Sequence, residues 1–277
     1  MIHPQKWMMK RPGLVIPVFF LSLVPVWGQL FWQESAVAAL GGTFVTHQGY
    51  FHGRHNQAGL GWIEQHSFSV QHTRPFVIKE LGISSMSLQV RAGIGAFGAT
   101  LSSFGVTGLR HTSAWISYGM KLSPGISCGL GVHFWNASIP EQILYQPGIS
   151  CALGIQMRMN ERLVIGAHVL HPASWSADLS GPRRQLMLIS TGWSYTFFQT
   201  STFYSEIHIM PQNHLQVSHG IEMKFNDRFG LMMGLHTQPF SISGGIALTL
   251  SQWFFHLAFE YVTDTGSSPS SSFTYAW

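Results

Sequence analysis

The feature that most constrains this chain is a strict two-residue alternation of large apolar side chains with small or polar ones, repeated from about residue 64 to the C-terminus. Ile126, Cys128, Leu130, Val132 and Phe134 share one face, and Ser127, Gly129, Gly131 and His133 the other. Further on, Ile149, Cys151, Leu153, Ile155, Met157 and Met159 oppose Ser150, Ala152, Gly154, Gln156 and Arg158. Near the end, Trp253, Phe255, Leu257, Phe259 and Tyr261 oppose Phe254, His256, Ala258 and Glu260. A period of two is that of a β-strand; a helix would bring apolar residues back at three and four. Fourteen such segments fit between residues 64 and 277, and twelve is the competing count. Each runs about 9–11 residues, the length a tilted strand needs to cross a bilayer, whereas soluble strands average about five or six.

Composition points to the same solvent. Charged residues make up only 9% of the chain, and apolar ones 45%. A soluble domain carries about 25% charged residues, and a lipid-facing surface cannot hold them cheaply. No run of about 18 apolar residues follows Gln29, so no helical span is expected, and a closed barrel is the remaining way to pair every backbone group within lipid. A soluble sandwich would show Lys, Glu and Thr on its polar face. Here that face is mostly Gly, Ser, Ala and Thr, which fits a crowded lumen. The fold expected is all-β: a transmembrane antiparallel β-barrel of about 14 strands, placed in the outer membrane of a Gram-negative bacterium.

The first 28 residues read separately. Lys6, Lys10 and Arg11 precede an apolar core from Leu14 to Trp27, with cleavage expected near Gly28–Gln29. Removing this signal peptide takes three of the 15 Lys and Arg, leaving 12 against 11 acidic residues. No electrostatic footprint for nucleic acid remains. Turns alternate between short ones (Ser123-Pro124-Gly125, Asn160-Glu161, Asn226-Asp227, Ser251-Gln252) and longer polar ones (138–147, 172–184, 263–271). That is the pattern of periplasmic turns and outer loops. The glycines at 119, 129, 131, 154, 166, 192, 220, 230, 234 and 245 all fall on the inner parity, and Gly244 on the outer. Small inward residues let a plug pack close to the wall or let the sheet bend. Cys128 and Cys151 face outward on neighbouring strands, with Cys128 expected opposite Met157 and Cys151 opposite Phe134. At that offset no disulfide can close. His219 also falls on the outer parity.

The alternating aromatics Phe273, Tyr275 and Trp277 at the very end resemble the terminal strand recognised by the barrel assembly machinery. Between signal and strands, Gly41-Gly42 and then Asn56-Gln57-Ala58-Gly59-Leu60 resemble the hatch of the FadL-like fatty-acid transporters and their PorV-like relatives in Bacteroidota. Gln57 stands where those proteins carry Pro. Arg74-Pro75-Phe76 to Lys79-Glu80-Leu81-Gly82 is similar to the first outer loop of the small PorV-like members. The resemblance implies a hatch over 29–63 inside a barrel over 64–277, with hatch residues Gly41, Gly42, Asn56, Ala58, Gly59 and Leu60. It further implies a role in moving hydrophobic compounds or in type IX secretion, by binding and not by catalysis. The alternative is an interaction subunit of a larger outer-membrane complex with a sealed lumen. Partners would be membrane lipid, the assembly machinery, and a hydrophobic small molecule or a secretion complex.

Ionisable residues of inner parity are the candidate lumen and plug groups: His133, Arg158, His168, Glu206, His208, Glu222, Lys224, His236, His256 and Glu260. Buried charges should pair, so the three glutamates are expected to meet Arg, Lys or His. His47, His52 and His55 cluster in the hatch, but their spacing matches no closed metal site. No metal, no cofactor and no catalytic residue is expected; there is no Gly-x-Ser-x-Gly elbow.

Overall fold

The computed structural model describes residues 33–106, 109–139, 144–176, 186–210, 214–263 and 265–277. The expected signal peptide, 1–28, lies outside the described residues. Fourteen antiparallel strands close into one barrel, each hydrogen-bonded to its sequence neighbours and β1 to β14. They are β1 (Ser67–Thr73), β2 (Ile83–Ala92), β3 (Gly95–Val106), β4 (Leu109–Ser123), β5 (Ile126–Ile139), β6 (Leu144–Arg158) and β7 (Leu163–Ser176). The second half is β8 (Leu188–Phe197), β9 (Ser201–Met210), β10 (His214–Lys224), β11 (Phe229–Thr237), β12 (Phe240–Leu250), β13 (Trp253–Val262) and β14 (Gly266–Ala276). The count is fourteen, not twelve.

The two faces separate as a bilayer demands. Outward residues such as Leu101, Ile116, Leu130, Leu153, Ile242 and Phe259 are each more than half exposed. The inner face of β14, β1, β2 and β3 is hydroxyl-lined. There Ser85 Oγ donates to Ser102 Oγ (2.9 Å), Ser87 and Thr100 pair at 3.1 Å, and Thr274 Oγ1 donates to Ser69 Oγ (2.8 Å). Such cross-strand pairs satisfy polar groups inside the wall without any charge.

Two tight turns share one construction. Asn160 Oδ1 accepts from the Arg162 and Leu163 N–H groups, and Asn226 Oδ1 from those of Arg228 and Phe229, at 2.8–2.9 Å. A short side chain that mimics a backbone carbonyl is what makes Asn a turn former. The seam closes where the Trp277 and His66 backbones exchange two 3.0 Å hydrogen bonds. On the outer face beside it, Trp253 packs on Phe273 (4.8 Å) and Tyr275 (4.4 Å), and Tyr275 stacks on Trp277 (5.6 Å).

Pairing runs further than the turn-rich composition indicates. Segment 263–271, expected as a loop, is strand from Gly266 onward; β6 already begins at Leu144, and β7 continues to Ser176. Serine and proline mark turns in water. In this wall Ser268, Ser270 and Ser272 instead face a polar lumen, and Pro147 and Pro269 are accommodated within the ladder opposite Asn136 and Phe259. The β5–β6 hairpin is consequently centred one residue earlier than expected. Cys128 sits opposite Ile155, not Met157, and Cys151 opposite Val132, not Phe134. A slip of two residues keeps the side chains on the same face. The thiols are free, four residues apart along the ladder, or about 13 Å at strand rise. His219 keeps the outer parity with no bulge in the ladder, stacked on the Phe203 ring at 5.8 Å.

The purified protein should therefore alkylate at both cysteines in denaturant without reductant. An intact mass lower by two hydrogens would overturn the β5–β6 register.

Candidate functional site

The lumen holds an N-terminal insert. A one-turn helix, α1 (Ser35–Ala39), ends at Gly41 and Gly42, both left-handed (φ 69° and 84°). Glycine adopts this conformation without the cost a Cβ imposes. At Gly41 space also forbids a side chain, since a Cβ would stand 2.6 Å from Leu235 N and 2.8 Å from His219 O in the wall. The chain returns through Phe44–Arg54 and finishes in a 3-10 segment, Gln57–Trp62. Asn56 ties the 3-10 segment to the middle of the insert: its Oδ1 accepts from Ala58 N (3.1 Å) and its Nδ2 donates to Val45 O (2.7 Å). A side chain on Gly59 would overlap the His52 ring.

The wall is cut away where the insert meets it. Leu60, Gln57, Asn56, Val45, Leu40 and Ala39 rest in turn on Gly98, Gly119 with Gly129, Gly154, Gly166, Gly220 and Gly245, and a Cβ at any of these would strike the insert. All lie three to five residues in from the strand ends nearest Trp277. They do not form one hydrogen-bonded row. Gly119, Gly129 and Gly154 are register partners, then Gly166, Gly192 and Glu206, then Gly220 and Gly234, then Gly245 and Ala258, each group two residues nearer the end than the last. Closing a barrel forces such a stagger, so a level plug must meet successive strands on a staircase.

Glu206 fixes the insert in place. Gly192 leaves room for its side chain, and the carboxylate accepts from Phe44 N (3.0 Å) and Val45 N (2.7 Å). Its expected basic partner is thus replaced by backbone donors, with His208 Nε2 only alongside at 3.8 Å. Gln156 donates to Val45 O (2.7 Å), Ser127 to Ala58 O (2.8 Å) and Ser243 to Ala39 O (2.9 Å). The Phe44 ring stacks on His208 (5.6 Å) and meets His168 edge-on (5.5 Å).

The other candidates divide by height. Arg158 lies at the rim over the Trp62 ring (4.0 Å). Glu222 accepts from Tyr204 (3.1 Å) and approaches the largely exposed Lys224 (3.9 Å). Glu260 pairs with His236 (3.0 Å) and accepts from Ser241 (3.1 Å), and His256 meets Ser272 at 3.4 Å. His133 is buried in a cluster of rings with Trp115, Trp135 and His171. Trp115, Trp135 and Gln156 were legible as inward residues by parity. His171 was not, because the register shifts between Ser150 and Ala152 and turns it inward.

Within the hatch, burial sets the charge states. It pushes the Glu34 carboxyl up to about 7, against hydrogen bonds from the Tyr50 and Phe51 backbone and the field of Arg54. It pushes His52 down to about 3 and His55 well below the usual imidazole range. Among the described residues, no three His, Cys, Asp or Glu side chains converge on a metal position.

A concavity of about 1050 Å³ lies outside the lumen. Val70, Met86, Leu101, Phe134 and Phe273, all outward, line it, and the inward Ser85 and Ser102 beside them alternate with these along the same strands. It is a groove on the lipid side of the wall. A second one, about 590 Å³, lies around Phe203, His219 and Gly244.

Two outcomes test this seat. Glu206→Ala orphans two buried N–H groups, at about 1–3 kcal/mol each. Exchange at Phe44 and Val45 should accelerate while the barrel keeps its heat-modifiable gel migration; unchanged exchange would remove Glu206 as the anchor. Glu34 binds its proton more tightly in the docked hatch than when freed. Its contribution is therefore complete below the ordinary carboxylate range and is lost as pH rises through about 7. Hatch protection should fall between pH 5 and pH 8, and Glu34→Gln should reduce that dependence.

No protein-family model and no curated protein matches the chain. Solved structures do. The toluene transporter TodX of Pseudomonas putida matches with a TM-score of 0.68 at 10% identity, covering 88% of this chain and 97% of that one. The CymD monoaromatic hydrocarbon channel matches at 0.66 and 13%, covering 89% and 97%. A FadL homologue of Pseudomonas aeruginosa matches at 0.59 and 9%, covering 88% and 97%. This chain has the fold of these barrels.

Proposed function

We propose that this protein lies in the outer membrane and passes small hydrophobic compounds through a hatch-gated barrel, by binding and not by chemistry. The observation that carries the reading is the insert seated inside a closed wall on a matched set of glycines. A barrel meant as an open pore would have no use for so close a seat. The compound class is supported by fold alone, through structures described as toluene and monoaromatic hydrocarbon channels. In this reading residues 1–28 direct export, and Phe273, Tyr275 and Trp277 present the terminal strand for assembly. Glu206, His208 and His168 hold the hatch, while His133, His236 and Glu260 border the path above it.

The tightness of the same seat also favours the second reading, a subunit with a sealed lumen, of which a type IX secretion accessory would be one case. A deletion strain separates the two. Uptake of labelled monocyclic aromatics should fall and return with the wild-type gene. Unchanged uptake, together with a protein partner co-purifying in detergent, would replace transport by the subunit role.

A further inference from the structure

Four rings stand together on the inner wall just beyond the hatch. Trp115 on β4 and His133 on β5 are register partners, stacked at 4.1 Å with planes 9° apart. Trp135, the next inward residue of β5, lies 5.3 Å from His133, and His171 on β7 lies 5.4 Å from it. All four are at most 7% exposed. The arrangement is built in the backbone. Gly148 stands opposite Trp135, where any side chain would collide with the indole. The register shift between Ser150 and Ala152 brings in His171, itself in the left-handed region (φ 53°). Ser150 Oγ and His171 Nδ1 then meet at 2.6 Å, which fixes that ring. His133, at the centre, has a buried Nδ1 with no hydrogen-bond partner among the described residues.

We propose that this cluster binds a hydroxylated monocyclic aromatic, a phenol, in preference to the hydrocarbon of the same size. The site rests on the transport reading for its setting, since a lumen ligand must reach it. Its chemistry rests on the rings. Indole and imidazole faces take a flat aromatic by offset stacking or edge-to-face contact. A buried imidazole nitrogen without a partner costs free energy, and a hydrocarbon leaves that cost standing. A phenolic O–H donates to an unprotonated imidazole nitrogen and removes it. A site with such a group discriminates strongly against the analogue that lacks the hydroxyl. The inward hydroxyls of Ser102 and Ser113 on the adjoining strands extend the same polarity along the wall.

Equilibrium dialysis of the full-length protein in detergent, with radiolabelled phenol and toluene, tests this. Phenol should bind saturably and at least about tenfold more tightly than toluene, or about 1.4 kcal/mol. His133→Phe should abolish that preference, His133→Gln should retain part of it, and Trp135→Ala should weaken both ligands. Heat-modifiable migration reports that each variant is folded. Equal binding of the two ligands, no saturable binding of either, or a phenol affinity unmoved by His133→Phe would each overturn the proposal and leave the rings as wall packing. Saturable phenol binding with unchanged phenol uptake in the deletion strain would instead sink the transport reading and keep the site.

Discussion

The hatch meets the wall backbone to backbone, and most of the structure follows from that closeness. At Gly234 and Gly41 neither side has room for a methyl group, and the insert's Leu40 carbonyl reaches the wall at Gly220. Contact at this range is available only to glycine, so the sequence of the barrel is committed wherever the two backbones meet. The commitment is geometric as well. The stagger that closes a fourteen-stranded sheet decides which residue of each strand stands level with the plug, and the glycines step accordingly.

Polar groups complete what close packing begins. A plug made largely of loop exposes backbone N–H and C=O groups that neither helix nor sheet satisfies, and each must find a partner inside the wall. The wall supplies the Glu206 carboxylate, the Gln156 amide, the Gln71 amide (to the Gln33 carbonyl) and a set of hydroxyls. Glu206 takes two donors from Phe44 and Val45, Gln156 gives to the Val45 carbonyl, and Ser127 and Ser243 serve the two ends. Using neutral groups for most of these contacts avoids the desolvation cost of many buried charges. This explains how a lumen with so few Lys and Asp can hold an insert firmly.

Much of this was readable from period and parity. Alternation located the strands, and the inward bias of glycine indicated a plug against the wall. The stepped register was not readable, because alternation fixes which face a residue takes and not which residue it opposes. Segments 263–271 and 144–147 look like loops because serine and proline are turn formers in water; here Ser268 and Ser270 face the lumen, and Pro147 and Pro269 sit within the ladder. Glu206 was identified as inward, but its partners are backbone donors, which leave no mark in composition. His171 lies on the outer parity by simple counting and faces inward only through the register shift beside Ser150.

The staircase also bears on the order in which the molecule is made. Gly41 hydrogen-bonds Ser243, 202 positions along the chain, and closing so long a loop costs entropy before its contacts repay it. The insert is synthesised first, yet its resting place exists only once β3 to β13 have paired in their final stagger. Its docking is therefore a late event, and a docked hatch certifies that the wall behind it has been completed in register.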